Sequence, residues 1–252
     1  MADIGAQVLL TSEGEGCIII LPDVNPVLKL RISNSPTRST VDIDVSTVLS
    51  QNITLVYDSL DLQAIDSRKL KALITGAQPM VMDSPNMIVA LYPPTPLIIQ
   101  FGDKRIRITL QRESKDIGGI PLWEIALKCH QLAPGQSQLV AYGFNYDVGL
   151  AVADGDAEAI TIDLFVSNRR MIEDVLEGRL SSFVPRLRFK RDETLYDLVL
   201  EPIDEKRIKA HLNTHFEFEG ITFPSSEQLE ASFRQEFDYL VSMLLRLLGG
   251  DK

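Results

Sequence analysis

Between residues 183 and 219 the chain alternates apolar and polar side chains in three consecutive runs, FVPRLRFKR, ETLYDLVLE and KRIKAHLNTHFEFE, with only a few residues between them. Alternation with period two marks a strand that has one dry face and one wet face. The gaps decide how such strands pair. Parallel neighbours need a crossover of a dozen or more residues, whereas gaps this short admit only tight turns. The segment is therefore read as an antiparallel meander, whose apolar face must be covered by helices or by a second sheet.

The same pattern recurs upstream. VLKLRIS at 27–33, TVDIDVS at 40–46 and NITLVYD at 52–58 all alternate. PLIIQFGDKRIRITLQ at 96–111 reads as a hairpin about Gly102-Asp103, because glycine removes the steric cost of positive φ in a two-residue turn. QLVAYGFNYDVGLAVA at 138–153 reads as one long strand, with Gly143 and Gly149 marking a bulge or strong curvature. Trp123, Ile125, Leu127 and Cys129 also alternate, which predicts a strand over 121–132. AITIDLFV at 159–166 is predicted as another.

Helical signals are fewer. DSRKLKALITG at 66–76 has Asp66 as N-cap and Gly76 as stop, and SNRRMIEDVLEGRL has Ser167 or Asn168 as cap. The strongest helix follows Ser225, which has capping-box spacing to Gln228. Leu229, Phe233, Phe237, Leu240, Leu244 and Leu248 then recur every three or four residues until Gly249-Gly250. The fold class is α+β: mainly antiparallel sheet in meanders and hairpins, with about three helices, including the long amphipathic C-terminal one. The helices do not alternate with single strands, which argues against a doubly wound or barrel α/β fold. ESKDIGGIP at 113–121 is the best linker. It divides a β-rich region, 1–112, with one short helix, from an antiparallel sheet and C-terminal helix over 122–252, unless a single domain runs through both.

Charge narrows the partners. The chain has 252 residues and a net charge of −10, and most of the excess lies in its second half: 14 Lys/Arg against 22 Asp/Glu over 117–252. A surface so acidic repels a polyphosphate, so nucleic-acid binding is disfavoured. No apolar run approaches the ~20 residues of a membrane helix, and the N-terminus lacks the apolar stretch of a signal peptide. Cys17 and Cys129, each within apolar surroundings, read as small buried hydrophobes in a reducing, cytoplasmic compartment.

No motif specifies a reaction. GEG at 14–16 lacks the helix and the Lys-Ser/Thr of a phosphate loop, there is no GxSxG or CxxC, and DGDAE at 154–158 reads as a turn. His130 and Cys129 would point to opposite faces of a strand, which removes them as a nucleophile–base pair. Two of the three histidines fall in HLNTHFEFEG. Read as a strand, His211, His215 and Glu217 share one face, the pattern of a metal or acid–base site, but positions i and i+2 lie ~7 Å apart, loose for one metal ion. A solvated strand face accounts for them more simply. Lys104, Arg105 and Arg107 form one basic stripe, and Arg186, Arg188 and Lys190 a second that suits an anion, with cross-strand acids as the simpler partners. The apolar surplus at Leu240, Leu244, Leu245 and Leu248 suggests a contact surface beyond the core. The leading expectation is a non-catalytic cytoplasmic protein–protein interaction module, bound to a protein partner or to itself, with no cofactor. The alternative is a metal- or ligand-binding enzyme working through His211, His215 and Glu217.

Overall fold

The structure is a computed structural model; it describes residues 43–102, 104–218 and 223–249, and the backbone of two short strands nearer the N-terminus. Those two, β1 (Gln7–Leu10) and β2 (Cys17–Ile20), pair antiparallel as a sheet of their own. The expected strand at 27–33 and the GEG turn lie outside the described residues.

All other strands join one antiparallel sheet. They are β3 (Ile43–Tyr57), β4 (Met80–Ser84), β5 (Met87–Tyr92), β6 (Leu97–Gly102), β7 (Arg105–Leu110), β8 (Leu139–Val152), β9 (Arg186–Arg191), β10 (Thr194–Asp204) and β11 (Arg207–Glu217). Their order across the sheet is β4-β5-β6-β7-β3-β8-β11-β10-β9. Of the runs expected at 40–46 and 52–58, residues 40–42 lie outside the described residues, and 43–46 and 52–57 belong to the single long strand β3. It pairs along nearly its whole length with β8, the other long strand.

The order is a topological duplication that the residues do not announce. Each half begins with a long central strand, passes through helical turns, and builds a meander whose last strand returns beside the first. Each then ends in a helix: α1 (Leu122–Leu132) in the first half and α4 (Ser226–Gly249) in the second. The loop at 111–121 therefore joins two halves of one sheet.

Two expected strands are helices. Over α1 the buried residues are Leu122, Trp123, Ile125, Ala126 and Cys129, which is helical spacing; the alternation of Trp123, Ile125, Leu127 and Cys129 was a coincidence of apolar positions. Residues expected as the strand 159–166 form α2 (Ala157–Phe165). There Asp156 accepts from the Glu158 backbone N–H, and this cap overrides the β-branched content. The other helical expectations hold. A 3-10 helix spans Ser67–Ala72 behind Asp66, ending short of the expected stop at Gly76, Asn168 caps α3 (Arg169–Leu176), and Ser225 and Gln228 exchange the two hydrogen bonds of a capping box before α4.

Helices α1 and α4 pack against each other and against the centre of the sheet, with α2 beside β10. Beneath them lies the core: Ile53, Leu55, Ile108, Phe144, Tyr146, Val148, Leu198 and Leu212 are all fully buried. Phe233 of α4 is its keystone, with the rings of Trp123, Phe144 and Tyr146 centred 5.0–6.1 Å away. The Tyr146 hydroxyl also donates to the Phe233 carbonyl at 2.6 Å, tying the helix to the strand beneath it.

Candidate functional site

Side chains alternate across a sheet, so covering one face leaves the other to be read in register. No described helix packs on that second face. Its central row crosses six strands: Arg188, Asp197, Asn213, Asn145, Asn52 and Thr109. At the middle, Asn145 Nδ2 donates to Asn52 Oδ1 at 2.8 Å, and Thr54 Oγ1 donates to the same oxygen at 2.7 Å. Asn52 Nδ2 in turn donates to Thr109 Oγ1 at 2.7 Å. Asparagine is disfavoured inside strands, and here the Asn52 amide finds its hydrogen-bond partners among neighbours on the same face.

Beside this row, His211 stands directly opposite Asp147, with Nδ1 2.6 Å from Oδ1, and Lys209 Nζ is 3.7 Å from Oδ2. Partial burial works to raise the Asp147 carboxyl. The hydrogen bond and positive charge of His211, with help from Lys209, outweigh it and hold the group below its ordinary value. His215 and Glu217 share the face of β11 with His211, as strand alternation requires. Among the described residues no three His, Cys, Asp or Glu side chains gather as a metal would need.

Towards β9 the face is ionic. Arg186 engages Asp197 through two hydrogen bonds of 2.8 and 2.6 Å, Arg188 adds one of 3.1 Å, and Lys190 reaches Glu193 at 2.7 Å. The hydrogen bond from Arg186 is the main reason the Asp197 carboxyl lies low. The second basic stripe is thus paired with acids, although Arg186, Arg188 and Lys190 stay exposed enough to meet a ligand. Towards β4 the face turns apolar, with Met80, Met82 and Met87 exposed.

On the helical side, Leu240, Leu244 and Leu248 lie in the chain's own core, because they form the stripe of α4 that faces the sheet; of the four leucines singled out from the sequence, Leu245 alone is exposed. Cys129 is buried and its thiol is pushed up by burial. His130 lies flat against Phe223, with its Nδ1 2.9 Å from the Tyr57 hydroxyl, and burial pushes its imidazole down. A cavity of about 640 Å³ opens between α4 and the loop before α1, lined by Ile117 and Phe237 and by Arg112, Asp116, Arg234 and Asp238.

Asn52, Asn145 and Asp147 were not singled out by sequence reasoning. The available signal was an asparagine in the interior of each long strand, where the pleat favours β-branched or aromatic residues. No protein-family model matches the chain, and no curated protein matches it either.

Proposed function

We propose that the protein is a non-catalytic docking module that holds another protein against the second face of its nine-stranded sheet. The observation that carries this reading is that no described helix packs on that face, yet it carries exposed methionines at one end and a hydrogen-bonded Asn145–Asn52–Thr109 row at its centre. A contiguous apolar patch in a soluble chain favours association, and methionine suits it because its flexible thioether adapts to a partner's shape. The sheet face replaces the end of α4 as the favoured surface, since three of the four leucines there are occupied by the core. Nucleic acid fits less well. Among the described residues this face bears no Phe, Tyr or Trp on which a base would stack, and the whole chain is acidic. The compartment belongs to the same reading: a buried free thiol suits a reducing cytoplasm, and no described helix is long and apolar enough to cross a membrane.

Acid–base or metal chemistry at His211 is the second reading, favoured by its short contact with Asp147. Among the described residues no third His, Cys, Asp or Glu converges on the pair as a metal would need.

Photo-crosslinking tests the docking reading. Benzoylphenylalanine is placed at Ile98 or Val199 on the sheet face and, as control, at Val175 on α3, which is 77% exposed. Discrete adducts in the native cell from the sheet positions and none from Val175 are expected, and a doubled mass would identify the partner as a second copy. Adducts confined to Val175, or none at all, would overturn the proposal.

A further inference from the structure

The register of the first meander places three rows of side chains on the uncovered face. Met80, Leu91, Ile98 and Thr109 are aligned in one, Met82, Val89, Gln100 and Arg107 in the next, and Ser84, Met87, Gly102 and Arg105 in the third. Six apolar side chains thus make a block across β4, β5 and β6, with two arginines along its β7 border. Gln100, the polar side chain within the block, is turned onto it, with Nε2 3.2 Å from the Met87 sulfur. Met80 and Met82 are 59% and 58% exposed.

The arginines give the border of this block its charge. The cations at the opposite end of the sheet, Arg186, Arg188 and Lys190, are matched by acids within salt-bridge distance. Arg105 and Arg107 meet no carboxylate among the described residues, although acids outnumber bases by 35 to 25 along the chain. Two adjacent cations with no carboxylate among the described residues, at the border of exposed methionines, favour a counter-charge brought by a partner. Size agrees with a single segment. Four strands at ~4.8 Å spacing and five residues along each make a patch roughly 14 by 13 Å. That is about the width of one helix, ~10–12 Å, and the length of some nine of its residues.

We propose that this quarter of the sheet face recognises an acidic amphipathic segment of another protein, its apolar side chains seated on Met80, Met82, Leu91 and Ile98 and its carboxylates on Arg105 and Arg107. The inference rests on the docking reading and specifies its partner. The mode is that of an amphipathic helix laid on an apolar surface, with charge fixing orientation and rate of encounter.

The probe is a displayed library of random dodecapeptides selected against the full chain, followed by anisotropy of the enriched peptides at low and high salt. Peptides combining Asp or Glu with large apolar residues are expected. They should bind at least tenfold more weakly to R105E/R107E, weaken as salt rises, and lose binding when their acids are exchanged for Lys. Urea midpoints equal to wild type would establish that R105E/R107E is folded; should that pair not fold, Met82→Ser, at a freely exposed position, supplies the same test with a loss of several-fold. Enriched peptides without acids, binding indifferent to these substitutions, or no enrichment would each overturn the inference. A peptide displaced by Asn145→Arg but indifferent to R105E/R107E would remove this inference and keep the docking reading. Silence at both crosslinking positions on the sheet would remove that reading as well.

Discussion

Asn52 and Asn145 face each other across the β3–β8 pair, and the 2.8 Å bond from the Asn145 amide to the Asn52 carbonyl oxygen joins the two halves of the sheet at its centre. Because Asn52 also accepts from Thr54 and donates to Thr109, its loss strands three partners at once. Those partners are only partly buried, so water recovers some of each bond. Asn52→Ala should cost about 1–2 kcal/mol and Asn145→Ala less. The double variant should fall short of the sum by at least ~0.5 kcal/mol, because the two share one bond. Urea unfolding of the four proteins measures this; strict additivity would mean that the bond contributes nothing.

A second relationship concerns backbone. Beside Asn145, Gly143 lies so close to β11 that a Cβ there would run into the Thr214 carbonyl oxygen, which cannot move without breaking the sheet. The Thr214 hydroxyl fills the ladder at this point, accepting from the Phe144 N–H at 3.0 Å. Gly143→Ala is expected to lose more than about 3 kcal/mol, the range of severe overpacking. Gly149, six residues along the same strand, has only ordinary contacts of 3.7 Å and beyond, and Gly149→Ala should be neutral or slightly stabilising. Thermal midpoints of the two variants separate steric need from mere glycine content.

The contrast shows which features were legible in sequence. Local chemistry was: the capping box at Ser225 and Gln228 and the alternation of β9, β10 and β11 depend on neighbours within a few residues; the hairpin was legible too, but not its turn, because Gly102 closes β6 opposite Arg105 and the positive φ falls on Lys104. Gly143 was flagged as a bulge or bend, but its reason, a carbonyl from a strand some seventy residues away, is non-local. The same holds for His211, which was read as a possible ligand while its partner Asp147 was invisible until β8 and β11 were paired. Met80 and Met82 went unremarked because β4 is an edge strand with no alternation to display. For α1 the failure was of period: Trp123, Ile125 and Cys129 satisfy both a strand and a helix, and only packing on α4 and β7 decides between them.

The Asp147–His211 pair predicts a pH dependence. The carboxyl titrates below its ordinary value of 3.8 in the folded chain. A depressed carboxylate stabilises the fold above the unfolded value and loses that contribution as the pH falls through the folded one, so the effect lies in the acid range, below about pH 4. Replacing His211 with Gln leaves burial acting against a weaker set of partners, and the Asp147 carboxyl should then titrate at higher pH than in the wild type. Carbon-13 NMR of the Asp147 side chain measures this directly. An unchanged titration would show that Lys209 and solvent, not His211, hold the charge.

Leu244 and Leu245 are adjacent on α4 and opposite in environment: the first is fully buried against the sheet, and the second is 40% exposed. A glutamate at 244 would place an unpaired carboxylate in the core, which costs several kcal/mol or forces the helix off the sheet. Leu244→Glu should therefore abolish the cooperative thermal transition in far-ultraviolet circular dichroism. Leu245→Glu exchanges one good helix former for another at a wet position, and its stability should stay within about 1 kcal/mol of wild type. The pair also tests which surface associates. If the sheet face is the docking surface, Leu245→Glu leaves both the solution mass and the crosslinks at Ile98 and Val199 unchanged. A folded Leu245→Glu variant that dissociates from its partner would return the interface to the helix.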